Sequence, residues 1–218
     1  MKIGILGSGL MGGKLGVHFA QAGHDVTFSY SRRMAKLDDL AKRAGHGAKA
    51  GSVADAVRDA DVVFLAVHWS RVDDVLSQAG DLSGKTVLTC CVPLNAGNTD
   101  LVVGLTESGA EHLARKMPGA RLATAFQTTP SESFAEVFDG RGRAIKPNCV
   151  YCGDDRQAKE AAARLIADIG FAPIDAGPLK VARYTEPFAM LTAQLAYGTS
   201  EGPNWGYRFA RVDRLVGG

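Results

Sequence analysis

The sequence predicts a doubly wound α/β fold: a parallel sheet covered by helices on both faces, with a small helical C-terminal extension. Three observations carry this. Short apolar runs at 2–6, 61–67, 85–91, 120–126 and 148–152 read as strands buried on both sides. Segments with apolar positions at helical spacing alternate with them, the pattern of βαβ units. A glycine-rich hexapeptide, Gly7-Ser8-Gly9-Leu10-Met11-Gly12, sits where the first strand gives way to the first helix.

Residues 2–6 are a short apolar run ending in glycine, and 10–22 then place Leu10, Met11, Leu15, Val17, Phe19 and Ala20 at helical spacing. Gly23-His24 stops that helix, and the β-rich 25–30 completes a βαβ unit in about thirty residues. Helices follow near 34–44 and 52–58, then the strand at 61–67. The pair His68-Trp69 opens a further helix, with His68 readable either as its cap or as a hydrogen-bond donor to a ligand. Thr129-Pro130 turns the chain into a helix near 131–137, with proline at its start. After a soft boundary near 153, helix 156–169, strand 171–175 and a largely apolar helical stretch at 179–198 complete the chain. This divides it into a nucleotide-binding domain, 1–153, and a small acceptor and dimerisation region, 154–218.

The 218 residues, 46% hydrophobic and 22% charged, suit one domain with an appendage, since a single core grows to roughly 200–250 residues before splitting. A formal net charge of +2 gives no electrostatic case for nucleic acid or an anionic membrane. No stretch approaches about 18 uninterrupted apolar residues. The opening Met1-Lys2-Ile3-Gly4 lacks the apolar core of a leader, and a cytoplasmic location is expected. There Cys90, Cys91, Cys149 and Cys152 stay reduced. On strands both the Cys149/Cys152 pair and the Cys90/Cys91 pair point to opposite faces, so no metal site is expected.

The glycine turn carries the chemistry. Gly7 allows the bend, Gly9 lets backbone approach a pyrophosphate, and Gly12 lets helix and strand pack closely. The free N–H groups and positive end of the helix then receive phosphates without a basic side chain. No Gly-Lys-Ser/Thr follows, which excludes a P-loop hydrolase. An acid at the end of the second strand would hold the ribose hydroxyl of NAD, but none lies between Val26 and Leu37. Instead Ser31-Arg32-Arg33 and Lys36 offer a hydroxyl and three cations, the contacts a 2′-phosphate requires, so NADP(H) is favoured.

These residues resemble the NADPH-dependent reductases of the deazaflavin coenzyme F420. The likeness spans the glycine turn, the Ser31-Arg32-Arg33 block with Lys36, Val67-His68-Trp69, Val92-Pro93-Leu94, and Cys152-Gly153-Asp154-Asp155 leading to Asp175-Ala176-Gly177-Pro178-Leu179. Ala182-Arg183-Tyr184-Thr185-Glu186-Pro187 and Ala196-Tyr197-Gly198 also look typical of it. The resemblance implies a compact Rossmann protein in which Ser8 to Gly12 bind the pyrophosphate and Ser31, Arg32 and Lys36 bind the 2′-phosphate. It further implies that Trp69, Pro93 and Ser131 border the nicotinamide and the acceptor ring. Departures fall at Tyr30, where many members have Gly, at His68 in place of Pro, and at Gln127 in place of Asn or His.

The expectation is an NADP(H)-dependent oxidoreductase passing a hydride between nicotinamide and a flat acceptor such as F420. His68, Trp69, Pro93 and Gln127 are candidates for the acceptor pocket, and no catalytic base is nominated. Reduction of another small molecule or flavin, and NADPH sensing without turnover, are the alternatives. The apolar 188–196 segment predicts a homodimer.

Overall fold

A computed structural model describes residues 1–212. Eight strands form one sheet: β1 (Lys2–Leu6), β2 (Asp25–Ser29), β3 (Lys49–Ala50), β4 (Val62–Leu65), β5 (Thr86–Thr89), β6 (Arg121–Ala125), β7 (Asn148–Gly153) and β8 (Ala172–Asp175). Their order across the sheet is β3-β2-β1-β4-β5-β6-β7-β8. β1 lies between β2 and β4, and β5 and β6 extend that parallel half. The order therefore reverses direction at β1, the kind of switch point where open α/β sheets bind ligands.

Eight helices accompany the strands among the described residues: α1 (Leu10–Gln21), α2 (Met34–Ala44), α3 (Val53–Arg58), α4 (Val72–Ala79), α5 (Gly109–Lys116), α6 (Phe134–Asp139), α7 (Arg156–Ile169) and α8 (Ala182–Tyr197). Local chemistry sets their ends. Ser52 and Asp55 form a reciprocal capping box on α3, Asp155 caps α7, and Gly170 closes α7 in the left-handed conformation. Leu37, Leu40 and Ala44 give α2 one buried stripe.

The sheet separates two apolar cores. One gathers Ile5, Phe19, Phe28, Phe64, Phe126, Phe134 and Phe171, whose phenyl rings include edge-to-face pairs 5.8–6.4 Å apart between centroids. The other packs Leu6, Val63, Leu65, Val87, Leu113 and Leu179 beneath α3, α4 and α5. Cys149 belongs to the first core and Cys152 to the second, as alternation along β7 requires, and Cys90 and Cys91, just past the end of β5, divide between the two cores in the same way.

Several elements differ from the sequence reading. β7 runs antiparallel to β6. The connection through the 3₁₀ turn Ser131–Ser133 and α6 delivers the chain to the carboxyl edge of the sheet, so β7 starts there and runs down. The 14-residue α7 carries the chain back along the sheet, and β8 is parallel to β7. The two residues of β3 leave no periodic trace, α5 is missing from the sequence reading although Ser108-x-x-Glu111 and the spacing of Ala110, Leu113 and Met117 signal it, and the strand read over 85–91 ends at Thr89. The stretch read over 179–198 begins with a 3₁₀ turn, Leu179–Val181, before α8. The boundary read at 153 falls at the end of β7, and the chain beyond it continues the same sheet through α7 and β8. Residues 213–218 of that C-terminal region lie outside the described residues. No described helix is long and apolar enough to cross a membrane.

Candidate nucleotide site

At the switch point the backbone is bare and tightly packed. Gly7 takes φ of 118°, and a β-carbon there would stand 2.3 Å from the Ala66 carbonyl oxygen. A β-carbon on Gly12 would meet the Gly7 carbonyl at 2.0 Å. Gly9 has nothing within 4 Å of the corresponding position, so the turn stays open toward the cavity. α1 has no acidic side chain in its first turn and no side-chain cap at Gly9. Its leading N–H groups and dipole are thus available to an anion.

The second cluster lies where β2 ends. Ser31 Oγ accepts the Arg33 N–H at 3.2 Å, which leaves its own hydroxyl hydrogen available. Arg33 occupies the N-cap of α2, whose first turn has neither a capping side chain nor an acid. Three cations against a helix N-terminus oppose its dipole. Arg32, Arg33 and Lys36 are exposed, and among the described residues their side chains make no ion pair or hydrogen bond.

A cavity of about 620 Å³ joins the two clusters. It runs from Gly7, Ser8 and Gly9 past Tyr30, Ser31, Arg32, Arg33, Met34 and Lys36, and reaches Val67 and His68 at the β4 edge. Its far wall is Arg71, Asp74 and Gln78, from the start and body of α4. Four cations therefore line it against one acid. Sequence reasoning missed Arg71, Asp74 and Gln78, because they come from a helix some forty residues on with no local signature. The only available signal was their place after the β4 edge.

Of the other expected site residues, His68 lines the cavity, while Leu10, Met11, Gly12, Trp69, Pro93 and Ser131 lie outside its lining. Leu10 is exposed, Met11 half-buried, and Gly12 is sealed beneath the turn. His68 caps the 3₁₀ turn Trp69–Arg71: its Nδ1 accepts the Ser70 N–H at 3.2 Å, which places the ring hydrogen on Nε2, 3.2 Å from the Asn95 carbonyl. Both ring nitrogens thus make structural bonds, which bears out the capping reading, on a residue that also lines the cavity. Trp69 meets His112 of α5 edge-on, with centroids 6.5 Å apart. Pro93 is buried against Gly109, where a β-carbon would approach its Cδ to 2.9 Å. Buried Ser131 accepts from Lys14 Nζ at 3.0 Å, on the α1 side.

Gln127 is buried beyond the end of β6. Its Nε2 donates to Thr124 Oγ1 at 2.9 Å and to Thr185 Oγ1 at 3.2 Å, while its Oε1 is buried with no partner among the described residues. Phe126, just before it, holds φ of 69°, a strained setting for a phenylalanine. The C-terminal segment covers this edge, with Tyr207 Oη 2.7 Å from Thr128 Oγ1 and accepting the Val150 N–H at 3.1 Å. Nearby, the buried Glu186 of α8 accepts the Gly109 and Ala110 N–H groups at 2.8 and 2.9 Å. Burial pushes its carboxyl up to about 7, outweighing those two donors. Burial likewise raises the thiols of Cys90, Cys91, Cys149 and Cys152, which leaves them protonated and unreactive.

Comparison with known proteins agrees with this geometry. Residues 2–93 match the family described as NADP oxidoreductase coenzyme F420-dependent. A solved structure from Arthrobacter sp. FB24, named as a candidate F420-dependent NADP reductase, superposes with a TM-score of 0.84 at 25% identity, covering 97% of this chain and 100% of that one. A hypothetical protein of Sinorhizobium meliloti gives 0.73 at 28% identity, over 84% of this chain and 88% of that one. Rat (Rattus norvegicus) metalloreductase STEAP3 is 27% identical over 186 residues, which is 85% of this chain but 36% of that protein. The chain thus spans about a third of the length of that curated relative. The resemblance read from the glycine turn and the Ser31-Arg32-Arg33 block is met over residues 2–93 by the family of coenzyme F420-dependent NADP oxidoreductases, one of the NAD(P)-dependent oxidoreductase families.

Proposed function

We propose that the chain is an NADP(H)-dependent oxidoreductase that passes a hydride between nicotinamide and a flat acceptor, of which a deazaflavin such as F420 or a flavin is the fitting class. One observation carries the reading: unpaired Arg32, Arg33 and Lys36 share a single cavity with an open glycine turn. The turn and the α1 N-terminus hold the pyrophosphate, while Ser31, Arg32 and Lys36 clamp the 2′-phosphate with charge-assisted bonds.

A bound nicotinamide supplies the hydride chemistry at its C4. The chain's own task is alignment. The His68 bond to Asn95 ties the loop after β4 to the loop after β5, so Val67, Trp69 and Pro93 stand as one fixed wall beside the dinucleotide. On the acceptor side, the unpartnered Gln127 carbonyl costs roughly 1–3 kcal/mol where it is buried, a cost offset when a ring N–H donates to it. Hydride addition leaves the reduced ring as an anion that takes its proton from solvent, so no side chain need supply one.

Exposed Tyr184, Leu191, Leu195 and Tyr197 along α8 support a homodimer. Four buried, unbridged cysteines suit the reducing cytosol.

The test is NADPH oxidation followed against deazaflavin, flavin, carbonyl and imine acceptors. Turnover with the deazaflavin or a flavin is expected. Turnover confined to imines or carbonyls would replace the flat acceptor, and NADPH binding without turnover would make the protein a sensor.

A further inference from the structure

The adenosine end of the cavity is bounded by two side chains that neither the glycine turn nor the cation block explains. Tyr30 sits at φ of 61°, in the left-handed region that favours glycine. Such strain persists where the surroundings hold it. Here Ser8 Oγ donates to the Tyr30 carbonyl at 3.3 Å, and the Tyr30 phenol donates to Asp74 Oδ2. The side chain therefore spans from the end of β2 to α4, and both residues line the cavity.

Burial and the Asp74 bond raise the phenol to about 12, against the opposing pull of Arg71 and Arg32. At neutral pH it is thus always the donor in this pair. Asp74 Oδ2 also takes a long bond from Gln78 Nε2, at 3.4 Å, while Oδ1 makes no hydrogen bond among the described residues. The result is an aromatic wall, a carboxylate oxygen that can only accept, and a cluster of cations beside them.

This combination suits a purine that carries an exocyclic amine and is linked through its ribose to a phosphate. We propose that Tyr30 and Asp74 form the adenine subsite, the phenol walling one side of the base and Asp74 Oδ1 accepting from the amine. The proposal rests on the NADP(H) reading of the cavity and adds base specificity to it. A purine with a carbonyl at that position would set a lone pair against the carboxylate and be disfavoured.

The test is the dissociation constant, by fluorescence titration, of NADPH and of deamino-NADPH, whose hypoxanthine carries a carbonyl in place of the amine. The wild-type chain is expected to bind NADPH at least tenfold more tightly. Asp74→Asn, whose amide can donate to the carbonyl, should abolish or reverse that preference, and the ratio of the two affinities is read on the folded chain, so a small shift in melting from the weakened Tyr30 bond does not enter it. Tyr30→Gly suits the backbone and removes the wall, and should weaken both nucleotides about tenfold. Equal wild-type affinities, or a preference that survives Asp74→Asn, would overturn the adenine subsite alone. Failure of the wild-type chain to bind NADPH would overturn the functional reading as well.

Discussion

At the residue scale, cofactor choice reduces to a few unpaired charges. Arg32, Arg33 and Lys36 face the cavity without partners, whereas the exposed cation Arg58 pairs with Asp55 at 2.8 Å and Lys116 with Asp73 at 2.6 Å. Exposed pairs of that kind contribute little, but their absence around one cavity leaves its potential positive. Replacing Arg32 by Glu turns a charge-assisted contact into a repulsive one. The preference for NADPH over NADH, measured as the ratio of kcat/KM values, should fall by about 2–4 kcal/mol. An unchanged ratio would put the phosphate elsewhere. Ser31, Arg32 and Lys36 were legible in the sequence because the absence of an acid and the presence of cations fall within a few residues of one strand end. Asp74 was not, since its relation to Tyr30 exists only once α4 packs beside β2. His68 carries both of its readings into the structure, since it caps the turn after β4 and also lines the cavity.

At the scale of elements, α8 ties α5 to the end of the sheet. Glu186 holds the first two N–H groups of α5, and Arg183 forms a two-pronged pair with Glu111 at 2.6 and 2.9 Å. Because burial raises the Glu186 carboxyl from 4.5 to about 7, the native chain keeps a proton that the unfolded chain releases between those values. That contribution to stability is full below about pH 4.5 and is lost as pH rises through 7. The wild-type chain should therefore lose about 1–3 kcal/mol between pH 5 and pH 8 relative to Glu186→Gln, read from denaturant titrations at the two pH values. A difference between the two proteins that does not change with pH would contradict the assignment. The helix this carboxylate caps carries a local signal, Ser108-x-x-Glu111 with Ala110 and Leu113 at helical spacing, but the link itself could not be read from the sequence. The contact joins positions more than seventy residues apart. The strands and long helices were legible because periodicity is local. The direction of β7 was not, because it depends on which edge of the sheet the connection 126–147 reaches, and no local pattern records that.

At the scale of the molecule, the sheet turns two weak local signals into one site. The reversal of strand order at β1 brings the glycine turn, the end of β2 and the start of α4 to one carboxyl edge. The same packing leaves Tyr184, Leu191, Leu195 and Tyr197 of α8 in solvent, while Phe188 is covered by Tyr207 and Phe209 with ring centroids 5.1 and 6.0 Å away. In the proposed homodimer a second copy covers Tyr184, Leu191 and Leu195, which share one face of α8, so sedimentation at micromolar concentration should give a dimer, and Leu191→Glu with Leu195→Glu should give a monomer. A wild-type monomer would remove this assembly without touching the nucleotide site. The central claim is met most directly by the crystal structure of the complex with NADP⁺. The account requires the pyrophosphate over Gly9 and the 2′-phosphate within hydrogen-bonding distance of Ser31, Arg32 and Lys36. A nucleotide bound elsewhere, or a 2′-phosphate turned into solvent away from Arg32, would contradict it.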